Sequence, residues 1–168
     1  VTPRLPALLL SALLLAAAPA QARDALGIFS SWAAFRDPAT PLCYAIAQPA
    51  SGPKSDSPPD YQPYAAIGTW PRRSVHGALH LRLSHRLAPA SPITLSLGGK
   101  RFHLVGGGGD AWPASPRDDA AIAATLRSSS TMSVSARTTT GHPFTDTYPL
   151  AGAPTAIDAA AIGCAGLK

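Results

Sequence analysis

Pro92-Ile93-Thr94-Leu95-Ser96-Leu97-Gly98-Gly99-Lys100-Arg101-Phe102-His103-Leu104-Val105 is the stretch on which the fold of this chain turns. Ile93, Leu95 and Leu97 alternate with polar residues, the period of a half-buried strand. Gly98-Gly99 then supplies the positive φ angles that a two-residue hairpin turn requires. Folding about that turn sets Leu95 opposite Phe102 and Ile93 opposite Leu104 on one face, with Thr94 opposite His103 and Ser96 opposite Arg101 on the other. A one-residue slip would carry the apolar set to the solvent face, so the pattern specifies its own register.

The same alternation precedes the hairpin. Leu79, Leu81 and Leu83 alternate with His80, Arg82 and Ser84, which makes one face core and the other wet. Outward from this centre, short segments separated by turn residues predict strands over 28–36, 42–48, 64–70, 78–84, 93–97, 101–105, 131–137 and 145–150. That rhythm belongs to a mainly β domain with antiparallel pairing rather than to alternating strands and helices. Residues 49–63 carry five prolines; they cannot supply ladder donors and read as a long exposed loop. Gly106 to Gly109 read as a flexible loop before Trp112.

Two segments carry helix signals. Ser115-Pro116-Arg117-Asp118 has a capping hydroxyl, proline at the first helical position and an acid three residues after the cap. Ile122 and Leu126 then share a face, and Asp118 and Asp119 suit the positive end of the helix dipole. Pro154 opens a second helix to about residue 162, on which Ile157, Ala161 and Cys164 fall on one side.

The beginning of the sequence fixes the expected compartment. One cation, Arg4, precedes an apolar run over 5–18 and the small-residue site Ala20-Gln21-Ala22, the three-part pattern of a secretory signal peptide. A transmembrane helix needs about 20 apolar residues, and this run is shorter and holds Pro6. Residues 1–22 are therefore expected to be removed and residues 23–168 to form a single domain, periplasmic or secreted. The full chain carries 14 cations and 9 anions, a net charge of +5, and loss of Arg4 leaves +4. An exported chain with two cysteines joins them, so Cys43 and Cys164 are expected to form a disulfide between an early strand and the terminal helix.

Catalytic and metal chemistry find little support. His76, His80 and His85 cluster in sequence, but strand residues four apart stand about 13 Å apart, too far to share one zinc. Ser84 and His85 point to opposite faces of a strand, and no serine sits in a GxSxG elbow. A hydrolase would require a serine, a histidine and a carboxylate to converge in space. No catalytic residue, metal site or cofactor is assigned. Export and the lack of aromatics interleaved with the cations speak against nucleic acid.

The surviving surface feature is a basic stripe. Arg82 and Arg86 share the wet face with His76 and His80, Arg72 and Arg73 precede that strand, and Lys100 and Arg101 lie on the hairpin. No Asp occurs between Asp60 and Asp110. If these strands are neighbours, the eight residues form a patch suited to an anionic envelope component or an acidic protein partner. A structural accessory subunit would instead expose an apolar patch.

Taken in series, residues 29–32, Leu42-Cys43-Tyr44-Ala45-Ile46, Ile67-Gly68-Thr69-Trp70-Pro71, His80-Leu81-Arg82-Leu83-Ser84 and the closing segments 148–150 and 156–160 resemble the invasion associated locus B family. That resemblance spans 26–164 and implies an exported protein of Gram-negative, mainly alphaproteobacterial, cells. It also implies an immunoglobulin-like antiparallel β-sandwich with one or two short helices. No family catalytic residue is carried over. The reading from sequence is thus an exported, non-catalytic binding or envelope-associated module.

Overall fold

A computed structural model describes residues 23–50 and 58–167 of the chain. The signal peptide expected over 1–22 and the middle of the proline-rich segment lie outside the described residues.

Ten antiparallel strands and two α-helices make up the described structure. The strands are β1 (Asp24–Phe29), β2 (Trp32–Asp37), β3 (Leu42–Ala47), β4 (Tyr64–Trp70), β5 (Val75–Arg82), β6 (Ile93–Leu97), β7 (Lys100–Gly107), β8 (Asp110–Pro113), β9 (Thr131–Arg137) and β10 (Pro143–Pro149). The helices are α1 (Pro116–Leu126) and α2 (Ala153–Cys164). All strands belong to one hydrogen-bonded order, β1-β2-β3-β4-β5-β8-β7-β6-β9-β10. Its two halves are joined between β5 and β8 by only two residue pairs, Leu81 with Ala111 and Arg82 with Asp110. The mainly β class expected from the segment rhythm is therefore the observed one.

The sheet curls so that its last strand returns to β2 and the end of β3. Trp32 Nε1 in β2 donates to the Pro149 carbonyl at 2.8 Å, and the Ala50 amide after β3 donates to the Thr147 carbonyl at 2.8 Å. Inward residues of both halves, among them Trp32, Leu81, Leu95, Val134 and Tyr148, form one buried cluster. Each fully buried Leu or Val contributes about 1.5–3 kcal/mol, so this shared interior is what holds the curl.

The β6–β7 hairpin has the register its sequence dictates: Ile93 faces Leu104, Leu95 faces Phe102 and Ser96 faces Arg101. Gly98 and Gly99 sit at φ 55° and 75°, the mirror-image turn that matches strand twist. Two other segments differ from expectation. The single strand expected over 28–36 is a hairpin, because Ser30, at φ 53°, breaks it into β1 and β2. The glycine run is no flexible loop either. Gly106 and Gly107 belong to β7, and a turn with Gly108 at φ 64° leads into β8. A Cβ on Gly106 would meet the Asp110 carbonyl oxygen, so the absent side chain is what lets β8 pair there.

Helix α1 starts as its sequence implies. Ser115 Oγ accepts from the Asp118 amide at 3.2 Å and donates to the Asp118 carboxylate at 2.8 Å. Asp119 does more than face the helix dipole: its Oδ1 accepts the Leu79 amide of β5 at 2.8 Å. Short β8 pairs β5 only at Leu81 and Arg82, and this carboxylate partners a donor beyond the ladder's end.

Helix α2 packs on β1 to β4 through Ala153, Ala156 and Ala160, with Cys164 buried below them. Ile157 is half-buried and Ala161 exposed, so the seated face is offset from the one expected. Small side chains permit a close approach, and a Cβ on Gly163 would strike Leu26. Cys43 and Cys164 are joined as expected, with Cα atoms 5.7 Å apart.

Candidate functional site: an aromatic groove on the outer sheet face

Strand parity that buries Cys43, Ala45 and Ala47 turns Leu42, Tyr44 and Ile46 of β3 to the other face. Neighbouring strands add to that outer face. Tyr44 pairs with Phe35 of β2 and Gly68 of β4, Ile46 with Ala66, and Ala66 with His80 of β5. Rows across the sheet thus place small residues, Ala66, Gly68 and Ala78, between larger ones.

Small beside large makes a groove. Its cavity of about 300 Å³ has Ala66, Gly68 and Ala78 as a floor, with Tyr44, Tyr64, Trp70, His80, Leu42 and Ile46 around them. Trp70 lies over Gly68, where a Cβ would stand 2.7 Å from the indole ring. Glycine at 68 is the condition for that ring position. The Phe35 and Tyr44 rings stack at 5.5 Å, Tyr64 meets His80 edge-on at 5.5 Å, and His80 stacks on Trp112 of β8 at 5.4 Å. Trp112 remains 44% exposed. Two sets of touching rings, Phe35 with Tyr44 and Tyr64 with His80 and Trp112, thus flank the groove.

Charges at the rim are paired. Asp110 accepts from Arg82 and lies 3.0 Å from His80 Nε2. Arg23, which lines the groove, lies 3.6 Å from Asp37, whereas the Arg36–Asp24 pair, opposite Cys43, belongs to the other face of β2. Hydrogen bonds to Thr40 and Ala39 lower the Asp37 carboxyl against the opposing effect of burial. Arg82 also lies 4.0 Å over the Tyr61 ring.

The eight residues of the expected basic stripe do not form one patch, although Arg82 shares Asp110 with His80 and the Tyr61 ring with Arg86. Arg72 and Arg73 occupy the short 3-10 turn Pro71–Arg73 at one end of β5, and Arg86 follows its other end, 5.9 Å from the Tyr61 ring centre. Lys100 and Arg101 begin β7, which is separated from β5 by β8. His80 and Arg82 share Asp110, an acid remote in sequence that β8 pairing brings beside them. His76 changes sides. A bulge between the Gly68–Ala78 and Trp70–Val75 pairs, with Gly77 at φ 67°, interrupts the parity of β5. His76 consequently lines a cleft of about 450 Å³ with Ile67, Ile157 and Cys164, away from His80.

Ser84, His85 and Asp146 do approach one another, though not as a nucleophile and its base. Asp146 Oδ2 accepts the Ser84 amide at 2.8 Å, while the His85 ring packs edge-on to Phe144 and its Nδ1 lies 3.6 Å from Asp60. Burial raises the Asp146 carboxyl against the opposing hydrogen bonds from Ser84. Its neighbour on the inward face of β10, Tyr148, is fully buried, and its hydroxyl has no hydrogen-bond partner among the described residues. Burial pushes that phenol strongly upward. Among the described residues no group of three His, Cys, Asp or Glu side chains could hold a metal ion.

The sequence carried a signal for the groove. Tyr44, Tyr64, Trp70 and His80 have the same outward parity on predicted strands, but only the order β3-β4-β5-β8 shows that they adjoin. The molecule is a curled antiparallel mainly β domain with a ring-lined surface groove. No family model, curated protein or solved structure matches the chain.

Proposed function

We propose that this chain is an exported, non-catalytic recognition module that contacts an envelope component through the aromatic groove of β3, β4 and β5. The observation that carries this reading is the groove itself: Tyr44, Tyr64 and Trp70 around an Ala-Gly floor on an outer sheet face. Tyrosine and tryptophan bring large contact area at low conformational cost and dominate binding surfaces. Its volume is at the lower end of the range of ligand clefts. The export half of the proposal is supported by the signal-peptide pattern over 1–22 and by a disulfide, the cross-link of oxidising compartments.

The test uses Ala78→Leu, which fills the floor from the outer face and leaves the inward core untouched. Purified protein lacking residues 1–22 is sedimented with envelope fractions of a Gram-negative cell. Wild type pellets with them and the variant stays in the supernatant. Equal sedimentation of both removes the groove from the function. Export is read separately by mass spectrometry, with the exported protein beginning at Arg23.

A further inference from the structure

From the lining chemistry we infer that the groove ligand is a neutral saccharide, held with its ring C–H faces on Trp70 and Tyr44 and its hydroxyls toward the Arg82–Asp110 pair. The inference rests on the groove being the binding site and adds the class of ligand.

Three observations lead there. First, the lining is neutral as a whole. Arg23, the cation in the lining, is matched by Asp37, and Arg82 at the rim by Asp110, so an anionic or cationic ligand would find no opposite charge in excess and would lose hydration without return. Second, the lining is amphiphilic. Tyr44, Tyr64 and Trp70 each combine a broad apolar ring with a hydroxyl or indole N–H, and Leu42 and Ile46 extend the apolar part. A pyranose has the complementary division, with C–H groups on its faces and hydroxyls around its edge. A purely aliphatic ligand would leave the polar atoms of these rings and of His80 unmatched. Third, the polar rim is rigid. Asp110 is held by both Arg82 and His80, and His80 is stacked on Trp112. Sugar hydroxyls donate and accept at once, and a fixed carboxylate–guanidinium pair offers both partners side by side. Fixed groups of this kind reduce the ordering cost of binding.

Titration of the intact domain, residues 23–168, with the neutral tetrasaccharides cellotetraose, chitotetraose and maltotetraose tests the inference, read by tryptophan emission and calorimetry. At least one should saturate. Trp70→Ala should weaken that binding about tenfold or more, and Ala78→Leu should abolish it. Raising salt should change it less than about twofold, since no net charge is matched. Thermal melting checks that each variant is folded, and Trp112→Ala, at the exposed rim, provides a second ring deletion.

The other outcomes overturn the inference in distinguishable ways. A proline-rich decapeptide that binds and is blocked by Ala78→Leu, with all three tetrasaccharides silent, keeps the groove as a binding site and rejects the saccharide. Salt-sensitive binding of oligogalacturonate alone rejects neutrality. A tetrasaccharide that binds Ala78→Leu as tightly as wild type lies elsewhere. Silence of every probe, together with equal envelope sedimentation of wild type and Ala78→Leu, rejects both the ligand class and the groove.

Discussion

Replacing Cys43 and Cys164 together by alanine removes the covalent tie between β3 and α2. The two cysteines are 121 positions apart, and closing a loop of that length stabilises the folded state by about 5 kcal/mol in the chain-entropy model. Little else offsets the loss at α2, whose seated face is Ala153, Ala156 and Ala160. Alanine rather than serine is chosen so that no hydroxyl is left unpartnered beneath the helix. For a domain of this size about 1 kcal/mol moves the melting midpoint by about 2–4 °C, so the expected fall is about 10–20 °C. Calorimetry measures the midpoint, and native-state hydrogen exchange shows where the loss falls. Amides of α2 should lose protection first, because local opening there exposes small side chains only. A midpoint within about 2 °C of wild type, with α2 protection unchanged, would refute the argument. So would two free thiols in the unfolded exported protein.

Asp146 carries a pH signature. Its folded-state carboxyl is raised above the reference of 3.8, so the folded state holds that proton more tightly and stability falls as pH rises from 3.8 through the folded value. Asp146→Asn should flatten this dependence in melts taken across acidic pH, and Asp146→Ala should cost about 1–3 kcal/mol by orphaning the Ser84 amide. Asp110→Asn removes the anion shared by His80 and Arg82; adsorption to anionic vesicles should rise and should weaken with added salt. Gly152 stands at φ 83°, and a Cβ there would strike the Phe29 carbonyl oxygen. Gly152→Ala should therefore cost at least about 1–3 kcal/mol in denaturant unfolding.

Much of this molecule follows from local pattern. The alternation over 78–84 and 93–105, the Gly98-Gly99 turn and the Ser115 cap each depend on residues a few positions apart, and each has the conformation that steric and hydrogen-bonding rules impose. The pairing of two cysteines in an exported chain needed only their number and setting. Other features depend on residues that meet only after folding. Strand parity put His76 beside His80, but one extra residue at Gly77 inverts a parity, and a bulge is set by the partner strand. Four glycines read as flexible because their backbone freedom is visible in sequence, whereas the close approach of Asp110 that requires Gly106 is not. The same β8 brought Asp110, 28 positions from Arg82, onto the stripe that sequence left uncompensated. Charge neutralisation and the aromatic groove are both properties of strand order, and strand order is decided by how ten amphipathic segments bury one common face.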